Sequence, residues 1–387
     1  MKSDIFEEFR GLIDNHEDEI RKIKSSGKQI IGYVCCYFPV EIVHALGMVP
    51  VRLVSSSVAA MQLGKEYFHE NMCPFTRATI GEFMKEGSVY RSCIDLLTGV
   101  IMCVQARNML TVLKKYTGKP MFFFAYPLNP VGAGEKEFFI NEVHHLVRSL
   151  EEFAGNRLDS EALKKSVDLY NKIRGKLTEI YNLQTVSGAA DLSDVLQIIH
   201  AGFFLEPERY LDLISEIPEK LSRKVKDHPP QNDKLRIMIS GSIITPGDMK
   251  VINIIESAGG RIIADDVCSG RRAFDGLIIE KPAVEDIAYA YLNAVPCATV
   301  SDPDFDHDRR LNYMSQLIKL YDIEGVIYYC IRFCDAYAFK DMETRKFLER
   351  FNIPMLAIHS EYGESDTGQI RTRIEAFIEI LKKRRDL

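Results

Sequence analysis

Nine cysteines punctuate this chain of 387 residues, at positions 35, 36, 73, 93, 103, 268, 297, 330 and 334. Two of them close the run Gly325-Val326-Ile327-Tyr328-Tyr329-Cys330-Ile331-Arg332-Phe333-Cys334-Asp335. Its first half is rich in β-branched and aromatic residues and reads as a buried strand. Ligands of α/β sheets bind beyond the strand tips, where loops face a crevice and not the core. Thiolates at such a tip need a cation, a redox role or a partner. An odd, dispersed set argues against a closed disulfide framework. The paired short spacing of structural zinc sites is missing, since no C-x2-C occurs. Iron–sulfur clusters accept thiolates from scattered positions, and iron with sulfide is the chemistry this pattern favours. Taken singly, each thiol also fits a small buried hydrophobe; Cys93 and Cys297 are left in that class.

Other side chains near these cysteines could serve the same chemistry. Glu41 and His44 sit about a helical turn apart beside Cys36 and are candidate proton donors. A first-turn carboxylate and a surface histidine are the plainer alternative. Arg77 and Arg107 are placed to offset thiolate and sulfide charge, or to solvate a helix face. Asp265-Asp266 precedes Cys268, as a partner to that site or as a strand end. Ser240-Gly241-Ser242 before a helix offers a turn that could hold a phosphate, although one Gly-bearing turn is a weak signal. Phe38, Phe75, Tyr329 and Phe333 fit a dry pocket or ordinary core packing.

The elements that must position these groups follow from periodicity and punctuation. An amphipathic helix is expected over residues 3–24, stopped by Gly27. Strands are expected at Gln29–Val34, Val49–Val54, Gly99–Cys103 and Pro120–Tyr126. Helices are expected at Val40–Leu46, from Cys73 to Lys85, and at Ala106–Lys115. The pattern from Gly134 to about Asp227 is helical, and Val225–Asp233 reads as a linker. Strands then return at Leu235–Ile239, Arg261–Ala264, Gly325–Tyr329 and Pro354–Ile358, with helices at Pro246–Ala258 and Phe339–Phe351. The two halves echo each other. Leu46-Gly47-Met48-Val49-Pro50 parallels Ala258-Gly259-Gly260-Arg261-Ile262, and Gly99-Val100-Ile101-Met102-Cys103 parallels Gly325 to Cys330. The expected architecture is α/β: an N-terminal helix (1–28), a first α/β domain (29–132), a helical segment (133–232) and a second α/β domain (233–387). Facing halves of this kind enclose a cleft, the usual place for a ligand. Cys35, Cys36, Cys103, Cys330 and Cys334 then lie just beyond strands, and Cys73 starts a helix whose dipole favours a thiolate.

Bulk properties narrow the function further. Hydrophobic residues at 46% and charged residues at 27% are ordinary for a soluble globular protein. A net charge of −6 gives no support to nucleic-acid binding. The acidic, amphipathic N-terminus resembles neither a secretory signal nor a transit peptide. No apolar run approaches the roughly 18 residues of a membrane span, so the expectation is a cytoplasmic protein without a membrane or nucleic-acid partner.

Several motifs together carry a resemblance. Gly32-Tyr33-Val34-Cys35-Cys36-Tyr37-Phe38-Pro39-Val40-Glu41 and Ala45-Leu46-Gly47-Met48-Val49-Pro50 are two of them. Cys73-Pro74-Phe75-Thr76-Arg77, Asp265-Asp266-Val267-Cys268-Ser269-Gly270-Arg271, Phe333-Cys334-Asp335 and Gly368–Phe377 are the others. The chain from about 29 to 381 resembles the 2-hydroxyacyl-CoA dehydratase and benzoyl-CoA reductase superfamily. The resemblance implies two flavodoxin-like or Rossmann-like parallel-sheet halves around an iron–sulfur cluster in the interdomain cleft. It also implies a separate ATP-hydrolysing iron–sulfur activator that injects low-potential electrons. The family's three-thiolate 4Fe–4S ligation carries over to Cys73, Cys103 and Cys334. Where the family often has Cys-Asp, Val104 follows Cys103, which puts the surroundings of Cys103 in question more than the ligand. Surplus thiols (Cys268, Cys330, and Cys35 or Cys36 but not both) resemble the double-cubane-cluster branch. There six cysteines hold an 8Fe–9S cofactor in a homodimeric reductase of small substrates. A dehydratase or reductase subunit acting on acyl-CoA with a single cubane, and a non-catalytic electron carrier, are the alternatives.

Overall fold

The computed structural model describes residues 5–130, 132–227, 234–300 and 308–386. Two four-stranded sheets organise them. The first contains β1 (Ile30–Val34), β2 (Val49–Arg52), β3 (Leu96–Ile101) and β4 (Met121–Ala125), in the order β2-β1-β3-β4. The second contains β5 (Leu235–Gly241), β6 (Gly260–Asp265), β7 (Gly325–Ile331) and β8 (Met355–Ser360), in the matching order β6-β5-β7-β8. Every pairing is parallel. The protein is thus α/β, with two Rossmann-like halves that repeat one topology. In each half the winding reverses between two central strands, β1 and β3 or β5 and β7. Crevices at the carboxyl ends of open parallel sheets form at such reversals.

Strand composition follows burial. All seven residues of β7 are buried, as a strand covered on both faces by helices requires. At the end of β5, Gly241 has φ of +142°, and a Cβ there would stand 1.8 Å from the Tyr329 carbonyl oxygen. Only glycine permits this approach of β5 to β7.

Boundaries shift where local geometry overrides periodicity. The expected helix over 3–24 is two helices, Glu7–Asp14 and His16–Ser25, because Asn15 caps the first and its Nδ2 donates to the Gly11 carbonyl at 2.8 Å. The helix expected from Pro246 starts only at Lys250. Strand β7 continues through Cys330 to Ile331, so Cys330 lies within the strand and not beyond it. Of the expected linker, Val225 to Asp227 end the helix Ile217–Asp227, and 228–233 fall outside the described residues.

Between the sheets run the helices Ala133–Ala154, Ser160–Asn182, Leu192–Ala201, Pro207–Ser215 and Ile217–Asp227. They are not a detached spacer. One apolar core contains Ile30 and Leu97 of the first sheet, Leu177, Leu196 and Leu221 of these helices, and Ile237 and Ile327 of the second sheet. A buried ion pair also joins Arg174 of helix Ser160–Asn182 to Glu41, whose other oxygen accepts from the Tyr291 hydroxyl at 3.0 Å.

Candidate functional site

Eight of the nine thiols gather where the two switch points face each other, in two neighbouring sets. The first holds Cys73, Cys103, Cys330 and Cys334. Cys73 is the residue immediately before helix Pro74–Met84, Cys103 before Val104–Thr117, and Cys334 before Asp335–Glu349. Three helices of 11, 14 and 15 residues therefore turn their N-terminal ends, each with partial positive charge, toward sulfur. Cys103 and Cys334 are equivalent positions in the two halves, since each follows its sheet's third strand. Cys73 and Cys334 pack in one apolar cluster with Ile331 and Tyr362, and Cys330 with Cys334 and Cys297 in another.

Burial dominates the electrostatics of this set. Burial, and next the proximity of Cys103, push Cys73 up to about 12; the N–H groups of Thr76 and Phe75 and the Arg77 charge act the other way. Burial raises Cys103, against the N–H groups of Ala106 and Gln105. Burial and Cys73 together push Cys330 up to about 12 and Cys334 well above the usual thiol value. A bound metal reverses this by taking the thiolate directly.

The second set holds Cys35, Cys36, Cys268 and Cys297. Contact with Cys268 lowers Cys36, but contact with Cys35 and burial outweigh it and push the thiol up to about 12. Cys268 is raised by Cys36 and by burial. Cys35 lies on the other side, its Sγ 3.8 Å from the Met102 sulfur. Cys297 is an electrostatic neighbour of Cys103 on one hand and of Arg272 on the other, so it stands between the sets. Periodicity could not find it, because the stretch from Ala294 to Val300 has no regular structure.

Two backbone strains mark the same place. Cys35 has φ of +82° and Phe333 of +61°, in the left-handed region that non-glycine residues occupy at a cost of about 1–3 kcal/mol. One precedes Cys36 and the other Cys334, the first-half and second-half tips.

Two buried arginines that no sequence pattern singled out complete the surroundings. Arg52 donates to the Cys268 carbonyl at 3.0 Å and reaches its sulfur at 3.5 Å, with the guanidinium lying over the Phe203 ring. Arg272 is 3% exposed, gives one nitrogen to the Pro296 carbonyl at 3.3 Å, and leaves Nε and Nη2 without a partner. Its neighbours are Tyr337, Cys297, Cys268 and Tyr37. A buried cation with two orphaned donors is costly unless an acceptor-rich anion faces it. Thiolates bearing iron and sulfide have that character, so the donor set fits such a group. Among the described residues no three His, Cys, Asp or Glu side chains close around a point suited to a single ion.

The remaining candidates are engaged elsewhere. Glu41 is held by Arg174 and Tyr291, as described. His44 contacts the Ser166 hydroxyl at 2.9 Å and Glu208 at 2.8 Å, and Glu208 is held down to about 2 chiefly by that histidine. Arg77 donates to the Met72 carbonyl at 3.1 Å and meets Glu361 at 3.4 Å, one turn from Cys73. Arg107 is exposed. Asp265 accepts from the N–H groups of Val267 and Arg271 at 3.0 Å each, which fixes the turn carrying Cys268. Ser240-Gly241-Ser242 is no phosphate cradle: Asp266 accepts from the Ser240 hydroxyl at 2.9 Å and the Gly241 N–H at 3.0 Å, and Ser242 bridges to Tyr329 and Ile331.

The family model described as "2-hydroxyglutaryl-CoA dehydratase, D-component" matches residues 35–381, a span that holds all nine cysteines. The chain belongs to the 2-hydroxyacyl-CoA dehydratase and benzoyl-CoA reductase superfamily. Within that superfamily it is 27% identical to the putative dehydratase subunit YjiM of Escherichia coli, over 97% of this chain and 98% of that one. It is 25% identical to the (R)-2-hydroxyglutaryl-CoA dehydratase subunit beta of Acidaminococcus fermentans, over 98% and 99% of the two chains. A benzoyl-CoA reductase subunit of Thauera aromatica is 22% identical over 92% of this chain and 91% of its own. Among the described residues no helix is long and apolar enough to cross a membrane.

Proposed function

We propose that the chain is the cluster-bearing protein of a cytoplasmic iron–sulfur reductase, a homodimer that reduces a small substrate at low potential. A separate ATP-hydrolysing iron–sulfur activator supplies its electrons. When bound, an iron–sulfur cluster of the double-cubane, 8Fe–9S type stores electrons at low potential. The observation that carries this reading is the gathering of two neighbouring thiol sets, the second of them beside the buried, partly unsatisfied guanidinium of Arg272. Cys73, Cys103 and Cys334 would hold one cubane at three helix N-termini, with Cys330, Cys36 and Cys268 extending the ligand set. Cys36 is favoured over Cys35 because it is the one that meets Cys268. Arg272 and Arg52 offset negative charge on sulfur, and the apolar neighbours Tyr329, Ile331 and Tyr362 exclude water.

The relatives' names support a second reading, a subunit of a 2-hydroxyacyl-CoA dehydratase or benzoyl-CoA reductase type enzyme; the family resemblance of the sequence would give it a single 4Fe–4S cluster. It needs only the three helix-terminal thiols and a second, different subunit. Iron and sulfide counts on anaerobically purified protein separate the two. About eight iron atoms per chain supports the double cubane and about four the single one. None refutes both.

A further inference from the structure

Helix Ser160–Asn182 roofs a cavity of about 110 Å³ over β1, β2 and the turn Arg271–Ala273, and the Cys36 thiol forms part of its wall. Phe38, Ile173, Leu177, Phe203 and Phe274 make most of the lining apolar. Most polar groups on its wall are already matched. Arg174 and the Tyr291 hydroxyl are tied to Glu41, Tyr210 donates to the Ile198 carbonyl at 3.0 Å, and Arg52 lies against Cys268. Two are not. The hydroxyls of Tyr33 and Tyr170, which are electrostatic neighbours, bond to no other protein group among the described residues and are accessible to water. The Tyr33 ring is held in place by stacking on Phe38, with centroids 5.0 Å apart.

We propose that this cavity binds a neutral molecule with an apolar body and one hydrogen-bond acceptor, seated between the Tyr33 and Tyr170 hydroxyls and the Cys36 side of the thiol site. Size fixes the class further. An enclosed dry cavity of about 150 Å³ holds benzene, so a smaller molecule of about five non-hydrogen atoms is the better match for this space. Charge narrows the rest: Glu41 cancels Arg174, and Arg52, whose guanidinium donates only to the Cys268 carbonyl and sulfur among the described residues, is offset once that sulfur bears the negative charge of a bound cluster. Treating the occupant as substrate, and as neutral, rests on the reductase reading; the occupancy itself does not.

The test uses anaerobically purified full-length protein, with propionitrile as the small probe and benzonitrile as the oversized one, followed by saturation-transfer NMR. Saturable propionitrile binding, stronger than that of benzonitrile, is expected. The double variant Tyr33→Phe/Tyr170→Phe should weaken propionitrile by about fivefold or more, the usual loss of a neutral hydrogen bond. Ala273→Leu, or Leu177→Phe should the first fold poorly, should abolish binding by filling the space, with iron content unchanged. No propionitrile binding, equal binding of benzonitrile, or indifference to the two Phe substitutions overturns the proposal. Binding in a protein that carries no iron supports the cavity while removing the reductase reading, so the two fail separately.

Discussion

Each thiol's role depends on what surrounds it. Cys73, Cys103 and Cys334 precede helices and carry the charge stabilisation of three N-terminal ends. Changing any one of them to Ser should strip most iron from the anaerobic protein, whereas Cys93→Ser, on helix Val89–Cys93 and outside both sets, should leave it intact. Loss of iron from Cys93→Ser alone would sink the assignment. Cys330→Ser divides the two functional readings: it should halve the iron of a double cubane and spare a single one. Arg272→Gln removes a buried positive charge beside the second set, so the reduction potential should fall as measured by EPR-monitored titration. An unchanged potential would mean that Arg272 serves packing alone. The sequence placed all six proposed ligands near strand or helix ends. It missed Arg272, Arg52 and the position of Cys297, because buried charges announce themselves only through the neighbours they lack.

Among the elements, close helix packing holds Cys73 in place. Helix Pro74–Met84 crosses Val58–Leu63 so tightly that a Cβ on Gly81 would stand 1.8 Å from the Ala60 carbonyl oxygen. Gly81→Ala should cost about 2–4 kcal/mol by forcing the helices apart. It should also lower iron loading, because the displaced helix carries Cys73 at its start; normal loading and thermal midpoint would contradict this. A second element-scale effect is electrostatic. Glu256, on helix Lys250–Ser257, is raised to about 7 by burial and then by Asp191. Between its ordinary value near 4.5 and 7 the folded state keeps a proton that the unfolded chain has lost, so stability falls as pH rises through that window. Glu256→Gln should flatten the decline and stabilise the protein at pH 8 by about 1–2 kcal/mol, after allowance for solvent screening. Thermal midpoints at pH 5 and pH 8 check both parts.

Across the whole molecule, the helical segment braces the two sheets against each other. Removing Arg174 leaves Glu41, fully buried, without its counter-charge. Arg174→Ala should cost about 3–5 kcal/mol in chemical denaturation. A loss below about 1 kcal/mol would show that the brace lies elsewhere.

The amino-acid sequence determined the repeated α/β pattern, since continuous apolar strands, prolines at first turns and glycines past helix ends are local consequences of backbone sterics and burial. It also determined which residues could be sulfur ligands, because thiols are rare and their types can be read directly. Glu41 and His44 show where that reading stopped: their spacing fitted proton donors, and only tertiary contacts committed them to Arg174, Tyr291, Ser166 and Glu208. Tertiary structure alone decided that two topological switch points face each other, and so which thiols meet. That choice depends on side chains hundreds of residues apart burying one another, a condition no local pattern encodes.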